Sequence, residues 1–296
     1  MIFVFESGVD CSLRRKEDSM EIQYLGTAAA EGLPALFCGC EICEKARKTG
    51  GKEVRTRTQS IVDGKILIDF PPDTYTHALN YSLQLGQIEH LLITHSHMDH
   101  FFPVELIHRH EHFGHNAKGM LYVYGNEAVE KAFYDAVLIE RFKVHPLDDA
   151  VKFIRLEPFG DFIADGYHII PVPADHDKRE TCFIYIIEKD GKCLLYGHDT
   201  GMKMSDKAWD CIFEHKYNLI SLDATMGKKQ IDGYHMGLPD DIAFTKILKE
   251  RGCICKDTVK VINHFSHNGE MTHKQLEKFA KENGMIASYD GMKVLF

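Results

Sequence analysis

The segment Leu91-Leu92-Ile93-Thr94-His95-Ser96-His97-Met98-Asp99-His100 decides the reading of this sequence. An apolar run of strand character passes directly into His-x-His-x-Asp-His. Four groups able to ligate a metal stand within six residues, and a turn at a strand's end can aim them at one point. Imidazole nitrogen combined with carboxylate oxygen suits Zn, Mn or Fe rather than Ca or Mg. The strand ahead of the motif fixes these groups at one edge, which a solvated His-rich loop would not do.

The rest of the chain is consistent with a folded metalloprotein. Its 296 residues are 44% hydrophobic and 27% charged, the composition of a globular protein that buries a core. Disorder, collagen and coiled coil are poor readings. Net charge is −9, which argues against a general nucleic-acid binder. No run of about 18 apolar residues occurs, so no membrane-spanning helix is predicted. The 18 His are many for this length, and His is the commonest metal ligand. Nine Cys include three crowded at Cys38, Cys40 and Cys43, too close together for a disulfide framework. Met1–Phe5 is apolar but short, and Arg14-Arg15-Lys16 follows it, the reverse of a secretory leader. A reducing cytoplasm with metal-binding thiolates is therefore expected. Residues 1–19 are expected to be a disordered or non-native extension, the alternative being a short strand at 2–5, and 20–296 one domain.

Turn signals divide that domain. Asp63-Gly64 and Asp190-Gly191 predict hairpins, 60–63 with 65–70 and 182–188 with 192–196. Further strands are expected at 90–94, 120–124, 151–156, 167–172, 218–222 and 258–263. Helices are expected at 41–48, 73–84, 103–112, 126–138, 203–215, 240–250 and 272–282. Thr272 is placed as N-cap of the last helix, with Gly284 past its end. Two sheets with helices outside fit this order.

At the His-x-His-x-Asp-His motif the sequence resembles the metallo-β-lactamase superfamily. Later ligand motifs follow in order: His176 in Pro-Ala-Asp-His, Asp199 in Tyr-Gly-His-Asp-Thr, and His264 in Val-Ile-Asn-His. The resemblance implies an α+β fold, a four-layer αββα sandwich with a two-metal site at one edge. It assigns His95, His97 and His176 to one divalent ion. Asp99, His100 and His264 fall to the other, and Asp199 bridges both. Asp175, Asp177, His198 and His267 stand nearby as rivals. Asp69, in Leu-Ile-Asp-Phe, matches an Asp that usually supports the ligands from behind. The ions would be Zn or Mn, with Fe also compatible. His97 stands where redox di-iron members carry Glu, and Asp199 where many β-lactamases carry Cys. Neither of those branches fits.

Cys38-Gly-Cys40-Glu-Ile-Cys43 is Cys-x-Cys-x-x-Cys, whose thiolates converge readily on one tetrahedral structural Zn. His267 is the expected fourth ligand, with Cys255 as its rival. This combination resembles the phosphoribosyl cyclic phosphodiesterases of the carbon–phosphorus lyase pathway. The thiolate pattern also occurs in the B proteins of pyrroloquinoline quinone biosynthesis. The resemblance implies hydrolysis of a small anionic, cyclic phosphodiester by a hydroxide bridging two metals, with Asp99 among the catalytic residues. A proton donor is still needed. His235, in Gly-Tyr-His-Met-Gly, is the candidate, and Asp223 could orient it. A homodimer is a family-level expectation.

Three alternatives are a nuclease like RNase Z, a lactone or thioester hydrolase, and a non-hydrolytic quinone-pathway protein. The first lacks a basic arm for long nucleic acid. The second would have no need of His235. The third is disfavoured by the complete ligand set. His108, His110, His112 and His115 are expected at the rim or surface, and Lys178 and Arg179 are expected to be solvated.

Overall fold

The computed structural model describes residues 19–140 and 147–296. The extension expected over 1–19, and its alternative strand at 2–5, lie outside the described residues apart from Ser19.

Two seven-stranded sheets are stacked face to face. The first holds β1 (Glu21–Gly26), β2 (Gln59–Val62), β3 (Ile66–Ile68), β4 (His90–Leu92), β5 (Leu121–Gly125) and β6 (Val151–Arg155), with a late strand beside β1. The second runs through β7 (Phe162–Ala164), β8 (Tyr167–Pro173), β9 (Phe183–Lys189), β10 (Lys192–Gly197), β11 (Leu219–Asp223), β12 (Val259–Asn263) and β13 (Ile286–Ala287). The late strand is β14 (Lys293–Leu295).

Strand β9 shows why the layers form. Phe183, Tyr185 and Ile187 point into the space between the sheets, where they meet Ile22, Ile66, Ile68 and Leu92. Ile184 and Ile186 point outward, against α4 (Asp206–Phe213) and α5 (Leu238–Glu250). A strand buried on both faces reads as a continuous apolar run rather than an alternating one. The first sheet is covered by α3 (Glu127–Glu140), through Val129 and Phe133. α6 (His273–Glu282) covers β12 and β13 through Leu276 and Ala280. Thr272 caps α6 and Ser205 caps α4, each accepting from a backbone N–H. The fold is the αββα metallo-β-lactamase sandwich, with α1 (Glu41–Thr49) and α2 (Thr74–Tyr81) completing the described α-helices. No helix among the described residues is long and apolar enough to cross a membrane.

One predicted helix is corrected. Residues 103–112 are a 3₁₀ segment, Pro103–Arg109, closed by the His110 N–H on the Ile107 carbonyl. Only Leu106 and Ile107 of it are buried, so no apolar stripe at α-helical spacing holds an α-helix against the sheet. His110 is buried rather than exposed at the rim.

Strand direction positions the site. β3 and β4 are parallel, as are β10, β11 and β12. β8 and β10 are both antiparallel to β9, so β8 also runs with β10. Within each sheet these strand ends open together, and the approach of His95, after β4, to Asp199, after β10, brings both sets to one edge. Across the sheets, the buried Tyr185 hydroxyl donates to the Ile93 carbonyl at 2.6 Å, anchoring the chain as it enters the histidine motif.

Candidate metal centre

The turn after β4 is built on Asp69. Its Oδ1 accepts from Thr94 N at 2.8 Å and Thr94 Oγ1 at 2.9 Å. Its Oδ2 accepts from His100 Nδ1 at 2.8 Å. The turn closes with His100 N–H on the His97 carbonyl. Asp69, Asp199 and His264 each have positive φ, of 66°, 51° and 64°. Asp tolerates that conformation; His264 must be held in it by its surroundings. The Thr225 hydroxyl provides such a hold, donating to the His264 carbonyl and accepting from its Nδ1 at 2.7 Å.

These loops bring the sequence-predicted residues into two groups. Ligand atoms of His95, His97 and His176 lie within 4.8 Å of one another, and so do those of Asp99, His100, Asp199 and His264. Asp199 stands between the groups, with Oδ2 at 2.5 Å from His100 Nε2 and 3.6 Å from His95 Nε2. His176 donates from Nδ1 to the Tyr234 carbonyl at 2.8 Å, which frees its Nε2. The Nε2 atoms of His95, His176 and His264 and Oδ1 of Asp199 are buried without a hydrogen-bond partner among the described residues. Each such atom costs about 1–3 kcal/mol, and buried polar groups are normally satisfied. Such atoms, present in both groups, fit cations. Burial drives His95 and His176 toward the neutral, ligating form. Burial opposes ionisation of Asp199, but the imidazoles around it outweigh that and keep it a carboxylate. The clusters can therefore bind metal ions.

The rivals are otherwise engaged. His198 donates to Ser221 Oγ at 2.7 Å and accepts from Asn263, and burial lowers its pKa to about 3. Asp175 accepts from Lys178 Nζ at 2.7 Å and from the Lys203 N–H. Asp177 is held by Arg179 and lies 2.9 Å from His97 Nε2. Lys178 and Arg179 pair with these carboxylates while staying exposed to solvent, as expected. Sequence reasoning did not single out Glu180, which accepts from Ser96 N and Oγ and from Asn126, and so ties the motif to the start of α3.

His235 enters the same edge from the segment between β11 and α5. Its Nδ1 donates to Asp223 Oδ2 at 3.0 Å and lies 3.2 Å from Asp199 Oδ1. Burial disfavours its charge, but Asp223 and Asp199 outweigh that and raise its pKa to about 11. Asp223 is fully buried and also accepts from the N–H groups of Asp199 and Thr225. The His235 segment folds tightly on itself: a Cβ on Gly237 would overlap the Lys229 carbonyl oxygen. Gly237→Ala is expected to destabilise by at least the roughly 1–3 kcal/mol of an overpacked core, read as a lower urea midpoint. An unchanged midpoint would show that the segment yields freely.

A second cluster joins Cys38, Cys40, Cys43 and His267, again within 4.8 Å. His267 Nδ1 lies 3.4 Å from Cys38 Sγ and 3.5 Å from Cys40 Sγ. Burial opposes the Cys40 thiolate, but hydrogen bonds from Cys43, His267 and Cys38 prevail and lower its pKa to about 6. Cys255 is exposed and stands apart, beside Thr258. Three thiols and an imidazole at one point are the donor set of a closed zinc site.

Solved structures share this architecture. A diphosphatase of the PhnP family is 21% identical, with 94% of this chain and 98% of that chain covered at a TM-score of 0.73. Zn(2+)-bound PqqB from Methylobacterium extorquens is 16% identical, with coverage of 93% and 99% and a TM-score of 0.64. Human tRNase Z, short form, is 16% identical, with coverage of 93% and 98% and a TM-score of 0.62. No curated protein matches the sequence. Over residues 59–275, which include both histidine groups, Asp223 and His235, the sequence matches the family described as anti-Pycsar protein Apyc1, and the chain belongs to that family.

Proposed function

We propose that this protein is a dinuclear metal-dependent phosphodiesterase acting on a small, cyclic phosphodiester. His95, His97 and His176 would hold one divalent ion and Asp99, His100 and His264 the other, with Asp199 shared. Zn, Mn and Fe suit this donor set. When bound, such ions supply a nucleophile from water and neutralise charge on phosphate oxygens, which lets an acidic protein take an anion. Cys38, Cys40, Cys43 and His267 would hold a structural Zn. Free thiols of this kind belong in a reducing, cytoplasmic setting.

The observation that carries the reading is the His235–Asp223 pair beside Asp199. Cleaving a phosphodiester leaves an alkoxide that needs a proton. Asp223 engages Nδ1 and fixes the ring, so Nε2 is the nitrogen that delivers the proton to the departing ribose oxygen. Asp223 is a positioning residue; it is fully buried and does not reach substrate. The names of two similar structures, a diphosphatase and a tRNase, accord with phosphate-ester chemistry. Net charge of −9 favours a small anion over long RNA.

The test is phosphorus NMR of Mn- or Zn-loaded protein with 2′,3′- and 3′,5′-cyclic nucleotides and ribose 1,2-cyclic 5-phosphate. Ring opening to a single monoester is expected. No turnover of any of them, in protein shown to hold its metals, would overturn the reading. Asp69→Asn tests the ligand assignment separately. Losing the charge that orients His100 should weaken metal affinity about 10–100-fold, measured by chelator competition. Unchanged affinity would remove Asp69 from the centre.

A further inference from the structure

At the far end of the second sheet, a row of polar residues crosses three strands. His168 on β8 pairs with Glu188 on β9, and Glu188 pairs with Cys193 on β10. His168 is the second residue of β8, whereas His176 follows its end, so this row lies nearly a strand's length from the metal centre. His215, just past α4, closes over it with Nδ1 at 2.8 Å from Glu188 Oε1. Ligand atoms of Glu188, Cys193 and His215 all lie within 4.8 Å of one another.

We propose that Glu188, Cys193 and His215 form a further site for a Zn2+-class ion, distinct from the histidine centre and from the Cys38–Cys40–Cys43–His267 cluster. The donor chemistry selects the ion. One thiolate, one imidazole and one carboxylate suit Zn2+ or Cd2+ and exclude Mg2+ and Ca2+, which take oxygen. Strand register sets Glu188 and Cys193 side by side, and His215 reaches them from the connection that follows α4. Cys193 is buried at 4% exposure, and its N–H is fixed by Asn218 Oδ1 at 3.0 Å. The Glu188 side chain is 33% exposed and that of His215 13%, so water can reach the remaining coordination position. His168 stands behind as a second imidazole, with Nδ1 3.2 Å from Glu188 Oε2 and Nε2 2.7 Å from Asp161 Oδ2. His168 thereby holds the Glu188 carboxylate, as partners behind a ligating carboxylate do. Binding breaks the Cys193 S–H bond, forms the sulfur–metal bond and releases the proton to solvent. The ion would tie the β9–β10 hairpin to the end of α4.

Cadmium-113 NMR of the full chain, saturated with Cd2+ under reducing conditions, separates the three kinds of site by their number of thiolates. A resonance of one-sulfur type is expected alongside the three-sulfur and sulfur-free signals. It should vanish in Cys193→Ser with loss of one Cd2+ equivalent per chain, the three-sulfur signal remaining. His215→Gln serves where Cys193→Ser fails to fold, and should also abolish it. No one-sulfur resonance at saturation, or one that survives both substitutions, would overturn the site and leave His168, Glu188 and His215 a hydrogen-bonded network alone.

Discussion

His235→Ala is expected to lower kcat on a cyclic phosphodiester by about 10²–10⁴-fold, the usual contribution of a positioned acid. KM should change little, because the residue acts on the leaving oxygen rather than on the bound phosphate. The fold should tolerate the change. The His235 side chain is 22% exposed, and Asp223 keeps its bonds from the Asp199 and Thr225 N–H groups without it. The decisive readout is the leaving group. A substrate releasing p-nitrophenolate needs no proton, so its kcat should fall far less than that of a ribose diester. Equal losses on both would mean that His235 acts by holding the site together. No loss on either would remove His235 as the proton donor.

The sequence shows the parts of this site that sit at strand ends, for a physical reason. An apolar run must stop where the chain leaves the sheet, and the candidate ligands stand just after such runs at 90–92, 167–173, 192–197 and 259–263. His95, His176, Asp199 and His264 are therefore legible, and the structure brings them together. What supports them is less legible. His176 is oriented by the backbone carbonyl of Tyr234, which leaves no side-chain signature. Asp177 looks like a rival ligand in the sequence, yet it faces His97 while held by Arg179, a relation that only folding reveals. Glu180 is an ordinary surface-type residue until the Ser96 and Asn126 contacts are seen. The strands that escaped prediction, β7, β13 and β14, are two or three residues long, too short to carry a period. The 103–112 stretch failed in the opposite sense, since helix-forming residues there lack an apolar stripe.

Cys40→Ser should cost one zinc equivalent per chain, lower Tm and reduce kcat at a centre it does not touch. Zinc contributes roughly 10–16 kcal/mol in isolated fingers. Losing even a quarter of that, about 3 kcal/mol, lowers Tm by roughly 6–12 °C at the 2–4 °C per kcal/mol of a large domain. The effect on kcat follows from the route between the sites. His267 lies three residues after His264, in one loop leaving β12. Two residues on, Gly269 packs against Gly227 so closely that a Cβ on it would stand 2.9 Å from Gly227 N. Lys229 Nζ donates to the Asn268 carbonyl at 2.7 Å, and Glu270 pairs with Lys228 and Lys229 at 2.8 and 2.9 Å. Gly227 in turn accepts from the Leu238 N–H, closing the segment that carries His235. Releasing His267 thus loosens both His264 and the proton donor, and kcat should fall at least 10-fold while the histidine centre still takes up metal. Metal analysis, calorimetry and kinetics on one preparation read all three effects. Unchanged zinc content and Tm would remove the ion from the Cys cluster. A lowered Tm with unchanged kcat would keep the ion but break the link through Gly269.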